Sequence, residues 1–127
     1  MTFDAISDGG SVILDAAKAV GGNDEGLRPK ALMLVALAGC TAMDVASLFA
    51  KMRAEPEGFQ VKVEAELTDK HPKYYHTVTV HYYFSGKDLK KDKLEKAVNL
   101  SVERYCGVNE MFRRFADVSI KIHYNED

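Results

Sequence analysis

The fold of this chain is decided by the stretch ALMLVALAGCTAM at residues 31–43, which carries no charged side chain. These residues are too few for a membrane span, which needs about 20, so they indicate a buried helix. Pro29 suits the first turn of that helix, and Pro56 and Gly58 follow it, so it is predicted to run to about Arg53. Because the stretch is apolar around its whole circumference, one face can pack on a sheet while the others still need cover.

The rest of the chain offers little apolar surface that could bury the other faces of that helix. A second long helix is predicted at about residues 89–105. It is amphipathic, so its single apolar stripe can pack against only one surface. We therefore expect a second copy of the chain to bury the rest, in an extensive and obligate homodimer interface. Close approach of two such helices is favoured by small residues at Ala36, Ala38, Gly39 and Ala42.

Alternation of apolar and polar residues predicts strands before and after the first helix. Residues 2–6 and 11–15 flank a turn-rich SDGG cluster and are predicted to form a hairpin. Residues 59–68 and 76–84 form a second predicted hairpin, with His76 on the same face as the apolar residues of its strand. Residues 118–124 form the last strand.

Two capping residues are predicted in the second half of the chain. Asp88 is expected to cap the second long helix, and Asn109 a short helix that runs through Phe115. The apolar stripe of the long helix comprises Leu94, Ala97, Val98, Ser101, Val102 and Tyr105. The resulting order, ββ-α-ββ-αα-β, indicates an α+β fold in a single domain over residues 1–127.

Composition excludes several classes of function. The chain has 127 residues, 46% of them apolar, which fits one hydrophobic core. The net charge is -2 and basic residues are scattered among acidic ones, so no nucleic-acid partner is expected. No basic n-region leads into an apolar segment at the N-terminus, so a cytoplasmic protein without a membrane partner is predicted.

The histidines do not predict a metal site. His76 and His81 fall on opposite faces of their strand, and His71 lies in a turn, which leaves His123 without a partner set. The sequence also lacks a phosphate-binding glycine loop, a serine elbow and zinc-ligand spacing. No metal and no cofactor are therefore expected, and the two cysteines are the remaining constellation.

Each cysteine permits a reactive and an inert interpretation. Cys40 lies inside the first helix, where Asp44 one turn later disfavours a thiolate, and composition alone favours an inert core thiol by about three to one. Cys106 lies at a helix junction near Arg104, a setting that suits a thiolate better. Packing of Cys106 beneath Tyr105 is about as consistent with the local sequence.

Taken together, the motifs around these cysteines resemble the OsmC/Ohr family of thiol-dependent hydroperoxide reductases over nearly the whole chain. The resemblance rests on Pro29 with LMLVALAGCTAMDV at residues 32–45, Pro72 with FSG at residues 84–86, and AVNLS at residues 97–101 leading into YCGV at residues 105–108. Either cysteine motif alone would be weak, and the two together are fairly specific.

The resemblance implies an intertwined homodimer in which antiparallel sheets pack around two central helices. It also implies that Cys40 is the peroxidatic thiol, which a hydroperoxide oxidises to a sulfenic acid, and that Cys106 resolves this acid as a disulfide. A dithiol reductant of the dihydrolipoamide type would then restore both thiols. The implied role is reduction of organic hydroperoxides in oxidative stress defence.

Two residues of the family pattern are replaced. Peroxidatic members carry an arginine on an N-terminal strand, whereas the only basic residue before Arg28 is Lys18. They also carry a glutamate just after the helix-opening proline, where this chain has Lys30. Arg28 or Lys30 could supply the cation, and Glu103, one turn before Cys106, could orient it.

Three hypotheses follow for function. The first is a peroxidase whose apolar pocket of Leu, Met and Phe side chains around Cys40 suits an alkyl hydroperoxide. The second is a non-catalytic dimer on the same scaffold that binds a small apolar ligand or senses redox state. The third is a pair of buried cysteines without a function.

Overall fold

The computed structural model describes residues 1–127 and confirms the predicted α+β class and element order. Contacts divide the chain into two compact units, Met1–Val35 and Ala36–Asp127. A single domain over residues 1–127 stays a prediction.

The first unit contains the predicted N-terminal hairpin. Strand β1 (Phe3–Ser7) pairs with β2 (Gly10–Leu14) in antiparallel register. Gly9 has a φ of +90°, the left-handed conformation that a tight hairpin turn requires and glycine adopts without strain.

Asp15 organises the loop that follows the hairpin. Its carboxylate accepts hydrogen bonds from the backbone N–H groups of Ala16, Asn23 and Glu25, at 2.7, 3.1 and 3.2 Å, and from the Thr2 hydroxyl at 3.0 Å. Burial alone would raise the pKa of Asp15, but these four donors outweigh it, so the pKa lies below its ordinary value. The ionised carboxylate is therefore part of the folded loop.

Helix α1 (Pro29–Met52) confirms the predicted long helix and its bounds. Its buried residues follow one stripe at four-residue spacing: Leu37, Thr41, Val45 and Phe49. Large apolar side chains outside that stripe stay exposed in the single chain, among them Val35 at 53% and Met43 at 76%. By length and composition α1 could cross a membrane, a property that core helices share.

The second unit is built on a three-stranded sheet in the order β3-β4-β5. Strands β3 (Gly58–Leu67) and β4 (Tyr75–Ser85) form the predicted antiparallel hairpin. Strand β5 (Asp117–Asn125) runs parallel to β4, so this sheet is mixed, whereas antiparallel sheets were expected. A helical crossover joins β4 to β5, and such a crossover returns the chain in the same direction.

The inner face of the sheet forms the core against α1. Val78, Val80, Tyr82 and Phe84 are fully buried there. Phe49 of α1 packs edge-on against the Phe59 and Phe84 rings, with centroids 5.3 and 6.2 Å away. This contact fixes the second half of α1 on the sheet.

The placement of His76 on the buried face was wrong. A register shift opposite Glu66 and Leu67 leaves His76 as an extra residue of β4, and the buried position belongs to Tyr75. The predicted alternation holds only from Thr77 onward, because a bulge changes which face each preceding residue occupies.

Both predicted caps were wrong. Helix α2 spans Lys91–Leu100 with Lys90 at its N-cap, and Asp88 lies outside it at a φ of +55°. Helix α3 spans Gly107–Arg113, ending before Phe115, and its N-cap is Cys106. Asn109 is instead buried in the first turn of α3.

Between the two helices, Ser101–Tyr105 form a π-helical turn. Its wider winding changes the direction of the side chains relative to α2. Tyr105, expected at the end of the apolar stripe, is consequently 56% exposed, whereas Leu94, Ala97, Val98 and Ser101 are buried as predicted. The turn also delivers Cys106 to the core.

Candidate thiol site

The second unit brings both cysteines together. Cys40 and Asp44 are one turn apart on α1 and project from the same side of the helix, while Cys106 comes from the junction of the π-helical turn and α3. The two sulfurs and a carboxylate oxygen of Asp44 all lie within 4.8 Å of one another, and both thiols are free. A disulfide between them needs a sulfur–sulfur distance of about 2.05 Å, so the two side chains must move closer for one to form.

The two thiols differ in access and in partners. Cys40 is half-buried, whereas Cys106 is 3% exposed. Cys106 Sγ accepts a hydrogen bond of 3.3 Å from the backbone N–H of Asn109, which is how this cysteine caps α3. A molecule arriving from solvent therefore meets Cys40 first.

Cys106 is held as a thiol rather than a thiolate. Burial, with the hydrogen bond to Cys40, raises the pKa of the Cys106 thiol to about 12, and the Asp44 carboxylate acts in the same direction. The Asn109 amide lowers that pKa but does not compensate. Of the two interpretations of Cys106, burial favours the packed thiol over the thiolate that the helix junction and Arg104 suggested.

A chain of buried hydroxyl groups leads from the sheet to Asp44. Thr41 Oγ1 lies 2.7 Å from both Tyr82 Oη and Ser101 Oγ, and Ser101 Oγ donates to Asp44 Oδ2 at 3.0 Å. An ionised carboxylate only accepts, so the Ser101 proton points to Asp44, Thr41 donates to Ser101, and Tyr82 donates to Thr41. Burial raises the pKa of Tyr82 to about 12, which keeps it a donor.

Sequence reasoning missed three of these groups. The sequence assigned them only to secondary structure. Thr41 belonged to the apolar helix, Ser101 to the apolar stripe of the second helix, and Tyr82 to a strand. One signal was present: hydroxyl residues occupied buried positions of otherwise apolar patterns, and buried hydroxyls need hydrogen-bond partners. Asp44 was noted only as a group that disfavours the Cys40 thiolate.

Glu103 lies on the π-helical turn and is exposed. It shares with Cys106 a cavity of about 260 Å³ lined by Val102, Glu103, Arg104, Tyr105, Cys106, Gly107, Glu110 and Arg113. Arg113 is held in this cavity by the Val102 carbonyl, which accepts from its Nη2 at 3.1 Å. This cavity beside Cys106 is thus charged, and the pocket of Leu, Met and Phe side chains expected around Cys40 stays a prediction.

The suggested replacements for the family arginine lie in the first compact unit. Arg28 donates to the Gly26 carbonyl at 2.8 Å and pairs with the Asp24 carboxylate, so its guanidinium already has partners. Lys30 is exposed in the first turn of α1. Within the second unit, the carboxylate of Asp44 lies beside both thiols.

The thiol site also has the composition of a metal-binding group. Two sulfurs and one carboxylate oxygen within 4.8 Å could share a thiophilic ion such as zinc. The same atoms serve a dithiol redox cycle without any ion. The expectation of no metal stays a prediction.

Comparison with known proteins adds a family to this geometry. The family model described as OsmC-like protein matches residues 21–121. Protein YhfA of Escherichia coli K12 is 31% identical over 96 residues, covering 76% of this chain and 72% of that protein.

Two solved structures show the same fold. A protein from Aquifex aeolicus VF5 has 28% identity and a TM-score of 0.79, with 98% of this chain and 89% of that chain covered. The organic hydroperoxide resistance protein OhrB of Bacillus subtilis has 18% identity and a TM-score of 0.65, with 96% of each chain covered. The fold, the two cysteine motifs and the matched residues agree: the chain belongs to the OsmC-like family.

Proposed function

We propose that this protein is a thiol-dependent peroxidase that reduces organic hydroperoxides through a Cys40/Cys106 dithiol cycle in oxidative stress defence. The observation that carries the proposal is the pair of free sulfurs within 4.8 Å of each other, one half-buried and one buried. A similar fold in a protein named for organic hydroperoxide resistance supports the choice of substrate class.

The first step oxidises Cys40. Its sulfur attacks the distal oxygen of the hydroperoxide, the O–O bond breaks, and the alkoxide takes the thiol proton to leave as an alcohol. Cys40 becomes a sulfenic acid, oxidised by two electrons. Cys40 fits this role because it is the more accessible of the two thiols.

The second step closes the disulfide. The Cys106 sulfur attacks the Cys40 sulfur, the S–O bond breaks, and the hydroxyl group leaves as water with the Cys106 proton. Because the pKa of Cys106 is about 12, this proton needs an acceptor as the S–S bond forms. We assign that role to Asp44, whose carboxylate lies next to both sulfurs and is oriented by Ser101; it takes the proton from Cys106 and passes it to the leaving hydroxyl group, which departs as water.

Reduction completes the cycle. A dithiol of the dihydrolipoamide type attacks the protein disulfide, passes through a mixed disulfide, and leaves as its own disulfide after giving up two electrons and two protons. Glu103 is proposed to act at the charged cavity beside Cys106, where the guanidinium of Arg113 pairs with Glu110 at 3.5 Å. No cofactor takes part in these steps.

The proposal includes a homodimer. The apolar side chains of α1 that the single chain leaves exposed, such as Met43, would be covered by a second copy. That copy would also surround the half-buried Cys40 with apolar groups, which suits an alkyl tail. Free thiols fit a reducing compartment, so the cytoplasm is the proposed location.

The test is consumption of cumene hydroperoxide in the presence of dihydrolipoamide. We expect multiple turnovers for the wild type, none for Cys40→Ser, and a single oxidation without turnover for Cys106→Ser. Serine keeps the size of the side chain and can still cap α3 at position 106. Wild-type consumption no faster than that of Cys40→Ser would overturn the proposal.

A redox sensor is the second candidate, favoured by the Asp44 carboxylate and the burial that keep Cys106 protonated. A slow, reversible disulfide without turnover is then expected. Intact mass spectrometry after mild oxidant would show loss of two hydrogen atoms, reversed by dithiol, in a protein that does not consume hydroperoxide. Unchanged mass would exclude both candidates.

A further inference from the structure

Three ligand atoms of kinds that zinc prefers meet at the thiol site. Cys40 Sγ, Cys106 Sγ and a carboxylate oxygen of Asp44 all lie within 4.8 Å of one another, and both sulfurs are free. The prediction of no metal site rested on the histidines and on ligand spacing along the chain, neither of which detects a cluster that the fold assembles. We propose that the reduced protein binds one Zn²⁺ ion through these three side chains, and that the ion reversibly blocks the dithiol cycle.

The separations of the three atoms are close to those around a tetrahedral ion. Zinc binds sulfur at about 2.3 Å and carboxylate oxygen at about 2.1 Å, so two sulfurs on one ion are about 3.8 Å apart, and a sulfur and an oxygen about 3.6 Å apart. No two of the three atoms are more than 4.8 Å apart, so no pair must approach by more than about 1.2 Å. Cys40 and Asp44 are also one helical turn apart on α1, the spacing at which two ligands on one helix face bind a single zinc ion.

The sulfurs are free to direct lone pairs toward a shared ion. A deprotonated sulfur has lone pairs spread around the atom, so the hydrogen bond between the two thiols does not fix the direction in which either one binds a metal. The histidine pair on the outer face of the sheet differs. His81 Nδ1 and His123 Nε2 hydrogen-bond directly at 2.9 Å, and an imidazole nitrogen has only one lone pair, in the plane of its ring. These nitrogens point at each other, so the pair does not compete for the ion.

Neighbouring groups already orient two of the three ligands. The backbone N–H of Asn109 donates to Cys106 Sγ at 3.3 Å, and Ser101 Oγ donates to Asp44 Oδ2 at 3.0 Å. Metal ligands are commonly held by hydrogen bonds of this kind, which fix their orientation. Both donors also favour the negatively charged sulfur and oxygen that bind a cation. The fold therefore arranges these two ligands before an ion arrives.

Binding exchanges two protons for the ion. The protons of both thiols go to solvent, two S–Zn bonds and one O–Zn bond form, and no electron is transferred. Three protein ligands leave the fourth position of a tetrahedral ion open, and the half-buried Cys40 puts the site within reach of solvent. This is the arrangement of exchangeable zinc sites rather than of closed structural ones, so a chelator should remove the ion.

Zinc binding and the dithiol cycle exclude each other. A disulfide has no thiolate to offer, so the ion binds only the reduced protein, and a Cys40 sulfur bound to zinc is not available to a hydroperoxide. The block of turnover rests on the proposed peroxidase function, whereas zinc binding does not. We expect hydroperoxide consumption to stop with one equivalent of Zn²⁺ and to return when a chelator is added.

The test of binding uses the full reduced chain without hydroperoxide, so its outcome does not depend on the proposed peroxidase. Zn²⁺ is titrated by calorimetry, and Cd²⁺ is titrated in parallel because its bonds to thiolate sulfur absorb in the ultraviolet. One equivalent should bind to the wild type, and Cys40→Ser or Cys106→Ser should abolish binding. Asp44→Asn should bind at least about 100-fold more weakly, because loss of a ligand exceeds the effect of losing a partner that orients one.

Two exposed residues provide matched controls. Glu110→Gln removes a carboxylate on α3, and His123→Ala removes one member of the histidine pair. Both variants should bind one equivalent with unchanged affinity and show the Cd²⁺–thiolate absorption. Full affinity in either cysteine variant, or no binding by the wild type, would overturn the site. Zinc binding by a wild type that consumes no hydroperoxide would leave the site intact and refute only the peroxidase, whereas unchanged consumption by the zinc-loaded protein would refute the block.

Discussion

Two carboxylates of this protein differ in how their oxygens are used. Asp15, in the loop of the first unit, accepts four hydrogen bonds, three of them from backbone N–H groups. Asp44, in the second unit, accepts one hydrogen bond, which Ser101 donates. Its carboxylate also lies beside two sulfurs, and its other lone pairs are free to accept a proton. A fully partnered carboxylate holds a loop together, whereas one with free acceptor capacity next to two thiols can take a proton.

Replacing Asp44 tests the larger consequence of that difference. Asp44→Asn keeps the size and the acceptor for Ser101 but removes the base, so we expect disulfide closure to slow by about 100-fold, a typical contribution of general base catalysis. The rate is measured as loss of free thiols after one equivalent of cumene hydroperoxide. The overall fold, followed by circular dichroism, should be unchanged.

The variant to compare with Asp44→Asn is Glu103→Gln, which removes the exposed carboxylate proposed to act at the cavity beside Cys106. A change of only a few-fold is expected there, since an exposed charge is screened by solvent. Equal rates for Asp44→Asn and the wild type would remove Asp44 from the mechanism and leave it a packing residue.

Asp15 is expected to affect stability rather than rate. Its folded-state pKa lies below the ordinary 3.8, so the unfolded chain binds more protons at acidic pH. The stabilisation is complete well above pH 3.8 and is lost as the pH falls through the lower folded-state value. Asp15→Asn should lower the melting temperature by roughly 5 °C at pH 7, and the difference should shrink progressively as the pH falls below 3.8.

Hydrogen exchange locates the Asp15 effect. The amides of Asn23 and Glu25 donate to this carboxylate, so they should exchange faster in Asp15→Asn at pH 7. Asp4→Asn, an exposed aspartate of β1, serves as the control and should leave both amides protected. Equal melting temperatures at pH 7 for Asp15→Asn and the wild type would contradict the assignment.

Local patterns predicted most of the fold. The apolar run at residues 31–43 predicted helix α1. Alternation of apolar and polar residues predicted strands β3, β4 and β5. The errors arose where the backbone leaves its regular period: a bulge moved His76, and a π-helical turn moved Tyr105. Neither feature has a sequence signal that periodicity can detect, because each adds a residue to a turn or a strand.

The candidate site was less predictable than the fold. The cysteines stood out because they are rare and because both motifs resemble a known family. The hydroxyl chain joins residues 41, 82 and 101, and the histidine pair joins positions 81 and 123, across separations that local patterns do not encode. Such contacts depend on which elements become neighbours; the histidine pair, for example, forms because β5 lies beside β4.

The smallest predicted effect concerns the direction of the hydroxyl chain that supports Asp44. Because Tyr82 only donates to Thr41, Tyr82→Phe removes a donor and leaves no buried N–H or O–H group without an acceptor. The free energy of unfolding should fall by about 1 kcal/mol. Ser101→Ala leaves the Thr41 proton without an acceptor and Asp44 without its donor, so about 2 kcal/mol should be lost. Urea unfolding of the two variants separates these values, and a larger loss for Tyr82→Phe than for Ser101→Ala would contradict this direction of the hydroxyl chain.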